Sequence, residues 1–213
     1  RNKLELHRQP TALQQSLQDV TGALQAQLES AGLRLTVDVP EEVLWLDADP
    51  ERLVQMLDNL LRNAIKFTDP GGRITVTVRR QGDLVRIAIR DTGIGIDPEQ
   101  AEGLFEPYRQ LAGVGRSDGL GLGLALVKRL AEMHGGRVTA HSEGLGKGSE
   151  FVLALPLAEN VSRMALHQVH RLPPRQRVLI VDDEADVADS FASLLRALGQ
   201  EVAVAYSGKE ALQ

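Results

Sequence analysis

A two-layer α/β sandwich, followed by the opening of a doubly wound βαβ unit, is the fold class this sequence predicts, and three observations predict it. Long stretches with apolar residues at helical spacing alternate with short ones in which apolar residues recur at every second position. Clusters of Gly and Pro separate them. Beyond Pro173-Pro174 the pattern restarts with a continuous apolar run, the form a buried parallel strand takes. The 213 residues suit one full domain plus a fragment, or two small domains.

Leu13, Leu17, Val20, Leu24 and Leu28 place an amphipathic helix over residues 11–30, with Gly32 where it ends. Leu35, Val37 and Val39 alternate as in a half-buried strand, Pro40 stops it, and residues 44–46 offer a short second strand. Asp49-Pro50 supplies a cap and a first turn for a helix running to about Lys66, before Asp69-Pro70-Gly71-Gly72 turns the chain. Ile74, Val76 and Val78, a turn at Gln81-Gly82-Asp83, then Val85, Ile87 and Ile89 form a hairpin. A Gly-rich stretch over 93–123 encloses a short helix near 98–104, and residues 122–134 form a second long helix. Strands at 138–141 and 151–155 complete a layer with helices on one face of the sheet. Residues 158–176 read as a linker, after which 177–181, 187–198 and 202–205 give strand, helix and strand.

Composition narrows the function classes. Hydrophobic residues at 43% and charged residues at 25% are globular usage. Aromatics at 3% leave little for stacking on bases, and a net charge of -5 argues against nucleic acid as a partner. With no cysteine there are no disulfides or thiolate metal sites, which fits a reducing, cytoplasmic setting. No apolar run approaches the roughly 18 residues of a membrane span. No membrane contact is expected of this stretch, although a longer parent could be anchored in the inner membrane.

Three features carry chemistry. Helix residues advance by about 100°, so Arg52, Gln55, Asn59, Asn63 and Lys66 share one stripe opposite Leu53, Leu57, Leu60, Leu61 and Ala64. A solvated face is the plain alternative, but two mid-helix Asn cost helix propensity and suit a polar cleft. An Asn oxygen is a hard neutral ligand for magnesium, and a Lys one turn away neutralises phosphate. Asp91 alternates onto the face of Val85, Ile87 and Ile89, where a carboxylate needs donors. It either closes the following turn or, with Gly93 and Gly95 beside it, accepts a bond from an adenine amino group. Gly119, Gly121 and Gly123 run into a helix whose free N–H groups suit phosphate. Taken alone, that loop could simply be flexible. Arg109 and Arg116 could add charge there, whereas Lys128 reads as solvated surface.

Together these residues resemble the nucleotide-binding boxes of bacterial histidine kinases. Residues 59–68 resemble the asparagine box, 91–96 the first glycine box, Phe105-Glu106-Pro107-Tyr108 the phenylalanine box, 119–124 the second glycine box, and Gly146-Lys147-Gly148-Ser149 the last. The resemblance covers about residues 11–157 and implies the Bergerat ATP-binding fold. It implies Asn63 on Mg2+, Lys66 and Asn59 near phosphates, Phe67 beside adenine and Asp91 on its amino group. Gly93, Gly95, Ile96, Tyr108, Gly119, Gly121, Leu122, Gly123, Leu124 and Ser149 line the rest of the ATP site, Arg109 joins Asn59 and Lys66 in catalysis, and residues 104–123 form a lid. Two departures stand out: Leu120 where the family usually has Thr or Ser, and Ser149 for Thr.

Relatives of the gyrase and Hsp90 type, and serine kinases of the anti-sigma type, carry a Glu as general base one helical turn before the magnesium Asn. Here that position is Asn59, whose amide cannot take a proton from water. The resemblance therefore implies phosphoryl transfer to a histidine; a non-catalytic nucleotide-binding module and a GHKL-type ATPase are the alternatives. His7 is followed by Arg8 and does not match the acceptor motif, and residues 1–10 resemble the end of a dimerisation hairpin. The acceptor is then expected upstream, in a homodimeric parent, and little turnover is expected of this chain alone. Residues 177–213 resemble the start of a receiver domain, Asp182 and Asp183 matching its magnesium-binding acidic pair, with a helix cap as the alternative.

Overall fold

The computed structural model describes residues 5–97, 103–108, 121–158, 176–197, 199–208 and 210–212. Arg109, Arg116, Gly119, Leu120, most of the short helix expected near 98–104 and the linker from 159 to 175 lie outside them. Two compact units result, Arg1–Val161 and Ser162–Gln213.

In the first unit, β1 (Gln9–Ala12) pairs antiparallel with β3 (Trp45–Ala48), Gln9 opposite Ala48 and Ala12 opposite Trp45. Within the stretch expected to end a hairpin helix, residues 5–8 have no helix and strand begins at Gln9, while residues 1–4 lie outside the described residues. Pro10 gives the reason: it has no N–H to extend a helix and biases Gln9 away from helical geometry. The Thr11 hydroxyl donates to Ala48 O at 3.1 Å, adding a side-chain tie.

Helix α1 (Leu13–Ser30) buries Leu13, Leu17, Val20, Leu24 and Leu28, the row its spacing predicts. Helix α2 (Pro50–Phe67) buries Leu53, Met56, Leu57, Leu60, Leu61, Ala64 and Ile65. It starts as read: the Asp49 carboxylate accepts from Arg52 N at 3.2 Å, and Pro50 occupies the first turn, where no donor is needed. Helix α3 (Gly123–Met133) buries Val127, Leu130 and Ala131.

Strands β2 (Arg34–Asp38), β4 (Arg73–Gln81), β5 (Leu84–Asp91), β6 (Arg137–His141) and β7 (Glu150–Pro156) form one sheet in the order β2-β4-β5-β7-β6. Only β2 and β4 are parallel neighbours, and their starts are fastened by Arg34 N to Gly72 O (3.1 Å) and Gly71 N to Gly32 O (2.8 Å). Ile74, Val76, Val78, Val85, Ile87, Ile89, Phe151, Leu153 and Leu155 point to the three helices and close the core. Strand β2 departs from its half-buried reading: it is an edge strand, and Val37 and Val39 are exposed. No described helix is long and apolar enough to cross a membrane.

In the second unit, β8 (Arg177–Val181) and β9 (Glu201–Ala205) pair in parallel, joined through α4 (Ala185–Ala197). This is the βαβ opening the sequence predicts. Its buried apolar side chains among the described residues are Ala188, Ala192 and Ala205, while Leu179, Val181 and Phe191 are exposed.

Candidate functional site: a nucleotide-binding cleft

The polar stripe of α2 is half-buried at Asn59, Asn63 and Lys66, midway between a solvated face and the core. Asn59 Nδ2 donates to Gln55 O one turn back, at 2.8 Å, which uses its donor and turns Oδ1 outward. That oxygen meets the first turn of α3: a Cβ on Gly123 would lie 2.8 Å from it. Gly123 is therefore the residue that lets the glycine-rich start of α3 approach the Asn-bearing helix. Asn63 makes no hydrogen bond to another described residue, so its carboxamide oxygen is free to act as a ligand. Lys66 Nζ lies 5.3 Å from the ring centroid of Phe67, a cation–π distance that keeps the ammonium beside the ring.

At the C-terminal end of β5, Asp91 is buried, 3% exposed. Its Oδ1 accepts from Gly93 N at 2.8 Å and Ser149 N at 3.3 Å, and its Oδ2 from the Ser149 hydroxyl. The turn-closing alternative is thus realised in the bond from Gly93. A carboxylate offers about four acceptor sites, so those three bonds leave room for one more donor. Gly93 and Gly95 prove to be sites of backbone crossing: a Cβ on Gly93 would lie 2.1 Å from Phe67 O, and one on Gly95 2.1 Å from Gly144 O. Ile94 N donates to Phe67 O at 3.0 Å and Gly148 N to Gly93 O at 3.1 Å, so three loops lock around Asp91. Ile96 is buried, and its N–H bonds Ser142 Oγ at 3.0 Å.

Ser142 went unread in the sequence. Its hydroxyl also donates to Gly148 O at 2.6 Å and knits the loop after β6 to the glycine turn. The signal available was a Ser opening the Glu-Gly-Leu-Gly-Lys-Gly turn, a residue type that bonds nearby backbone. His134 is buried, and its Nε2 accepts from Asp49 N at 3.1 Å. A backbone N–H can only donate, so the proton sits on Nδ1, which faces Leu130 O at 2.8 Å.

The structure thus brings Asn59 to Gly123, Ser149 to Asp91, and the Phe67 end of α2 to the Gly93 turn. Leu124 packs partly against the core and Phe105 stacks edge-on against Phe151, centroids 6.4 Å apart. Tyr108 N donates to Gly121 O at 3.2 Å, which joins Tyr108 to the start of the next described stretch. The Tyr108 ring and Leu122, both expected to line the site, are exposed at 76% and 39%. In the second unit Asp182 Oδ1 accepts from Glu184 N at 2.9 Å and Asp183 is exposed. Among the described residues no group of three or more His, Asp or Glu side chains gathers as for a metal.

A helix layer on a mixed sheet, with an Asn-bearing helix, a buried Asp beside crossing glycine turns and a glycine-led helix facing them, defines a nucleotide-binding ATPase-type domain. The family of histidine kinase-, DNA gyrase B- and HSP90-like ATPases matches residues 48–159, and the chain belongs to it. Its relatives include the aerobic respiration control sensor protein ArcB of Escherichia coli (strain K12), 36% identical over 224 residues, covering 100% of this chain and 28% of the relative. The circadian input-output histidine kinase CikA of Synechococcus elongatus is 34% identical over 214 residues, covering 99% of this chain and 28% of that protein. Among solved structures, full-length ShkA in complex with AMPPNP superposes with a TM-score of 0.64 at 31% identity, covering 98% of this chain and 43% of that one. The chain is an ATP-binding catalytic domain of histidine kinase type. It spans about a quarter of the length of the curated relatives it matches.

Proposed function

We propose that this chain is the phosphoryl-donor module of a hybrid sensor histidine kinase and passes the ATP γ-phosphoryl group to a histidine outside residues 1–213. Asn59 carries this reading. It stands one turn before Asn63, its amide nitrogen tied to Gln55 O, and it presents an oxygen that cannot deprotonate water. Transfer then needs an outside nucleophile: an imidazole nitrogen bonds to the γ-phosphorus while the bond to the β,γ-bridging oxygen breaks and ADP leaves.

Asn63 is the residue suited to Mg2+, being a half-buried hard oxygen donor without a described protein partner. The ion would supply neutralisation of phosphate charge. Lys66 and Asn59 orient the phosphates, the start of α3 offers N–H groups to them, and Asp91 accepts from the adenine amino group while Ser149 and Gly93 hold its carboxylate in place. Arg109, outside the described residues, belongs with Lys66 in this proposal. The dimeric parent, its upstream hairpin and a receiver beginning at Arg177, with Asp182 and Asp183 as its acidic pair, complete it. The reading is supported by relatives with sensor and histidine kinase names that span the whole chain.

The test mixes the chain with a separately made histidine-bearing hairpin domain and γ-labelled ATP. Label on histidine is expected, and its loss in Asn63→Ala. Steady ATP hydrolysis without the hairpin, at the pace of a dedicated ATPase, would sink the proposal.

A further inference from the structure

The sheet has a second face, and its composition is unlike that of the chain as a whole. Residues alternating with the buried row on each strand point away from the helices. They include Arg34, Arg73, Arg79, Arg86, Arg90 and Arg137, set against the acids Asp38 and Glu150, on a chain whose net charge is -5. Arg79 pairs with Asp38, and Arg86 with Glu150 at 2.9 Å. Arg34, Arg73, Arg90 and Arg137 are exposed, with no ion-pair partner among the described residues.

The register makes the arrangement costly. Arg34 and Arg73 are direct partners across β2 and β4, and like charges directly opposite repel. Arg86 and Arg137 flank Ala154 from the two neighbouring strands. Beside Arg90, a cleft of about 150 Å³ is lined by Lys147, His141, Ser142 and Ser149 and by the acids Glu143 and Glu150. Nothing in the core or the nucleotide site requires guanidinium groups in these positions.

We infer that this arginine face docks a carboxylate-rich protein surface. Planar guanidinium forks match carboxylates two bonds at a time, and the interleaved Thr36, Thr75, Thr77 and Thr139 offer short hydroxyl contacts to a backbone or side chain. Asp38 and Glu150, each already paired with an arginine, give the face a pattern that a protein surface can match residue by residue. Among the described residues, the strands expose no large aromatic or aliphatic side chain on this face. Five strands spaced about 4.8 Å apart, each showing roughly 17 Å of length, give on the order of 400 Å². A stable complex commonly needs about 800 Å² per partner. The contact is therefore weak, transient and driven by charge. Asp91 and Asn63 lie on the helix side, so docking leaves the nucleotide site open, and the inference stands apart from the kinase reading.

The whole chain is titrated into a fluorescein-labelled Glu-Ser repeat peptide, and in parallel into vesicles of phosphatidylserine and phosphatidylcholine. Binding to the peptide that weakens as salt is raised is expected. Arg73→Glu with Arg90→Glu should lower affinity about tenfold, whereas the same charge change on α3, Lys128→Glu with Arg129→Glu, should stay within about twofold. Thermal unfolding with AMPPNP checks that both variants fold, and Arg34→Gln with Arg137→Gln gives a milder pair should the reversals unfold. No peptide binding, equal losses from the two faces, or tighter arginine-dependent binding to the vesicles would each overturn the assignment.

Discussion

Asp91 holds two kinds of bond that substitution can separate. Asp91→Asn keeps an oxygen for Gly93 N but loses the charged acceptor, so ATP affinity and the preference for adenine over guanine should fall together. Ser149→Ala keeps the carboxylate and removes only one donor to it, a change of about 1 kcal/mol or less-than-tenfold in affinity. Nucleotide titration of both variants checks the pair, and an Asp91→Asn protein that binds ATP as before would refute the adenine role. Gly123→Ala tests the other side of the cleft. Its Cβ would sit 2.8 Å from Asn59 Oδ1, so the amide must swing away while the helix gains a better former. Unfolding stability should hold within about 0.5 kcal/mol and ATP affinity should drop. Asn59, Asn63 and Asp91 stand out in the sequence because each residue type breaks its own local pattern. The reason for Gly93 was not legible there, because the Phe67 carbonyl that fills its missing side chain arrives from another element.

At the scale of elements, Asp49 and His134 join the start of α2 to the end of α3. His134→Ala would leave the buried Asp49 N–H without an acceptor, at about 1–3 kcal/mol, and chemical denaturation should show it; His134→Gln, which keeps an acceptor, should recover part. Burial alone would raise the Asp49 carboxyl, but the N–H bonds from His7 and Arg52 outweigh it and hold it below the ordinary carboxylate range. A group depressed in the folded state stabilises above its unfolded value and loses that contribution as pH falls through the folded one. Stability should thus decline on the acid side from about pH 4 downward, and Asp49→Asn should flatten that limb; an unchanged limb would remove Asp49 as its source. The elements themselves were readable wherever one row of side chains is buried, as in α1, α2 and the β4–β5 hairpin. Strand β1 was not, since Gln9-Pro10-Thr11-Ala12 has no alternation and is extended only because Trp45–Ala48 is there to pair with it.

For the whole molecule, the two units should answer differently to ligand. AMPPNP at a hundredfold excess over its dissociation constant should stabilise the first unit by about 2.7 kcal/mol, read as slower hydrogen exchange in α2 and β5. The second unit, whose described buried apolar side chains are three alanines, should exchange fast with or without nucleotide. Equal protection of α4 would show the two to be one cooperative body. The restart of the pattern at Arg177 was legible from an apolar strand ending in acids; the thinness of its core was not, because burial depends on which segments come to cover Leu179 and Val181.

The entering strand has one further consequence. Leu6 packs on the core, His7 N bonds the Asp49 carboxylate at 2.9 Å, and the Arg8 guanidinium bonds the carbonyl of Met133 in the last turn of α3. The chain is therefore clamped before β1 begins. Any swivel of this unit about its point of entry has its pivot ahead of Leu6, and a tug arriving there loads the helix whose other end faces Asn59.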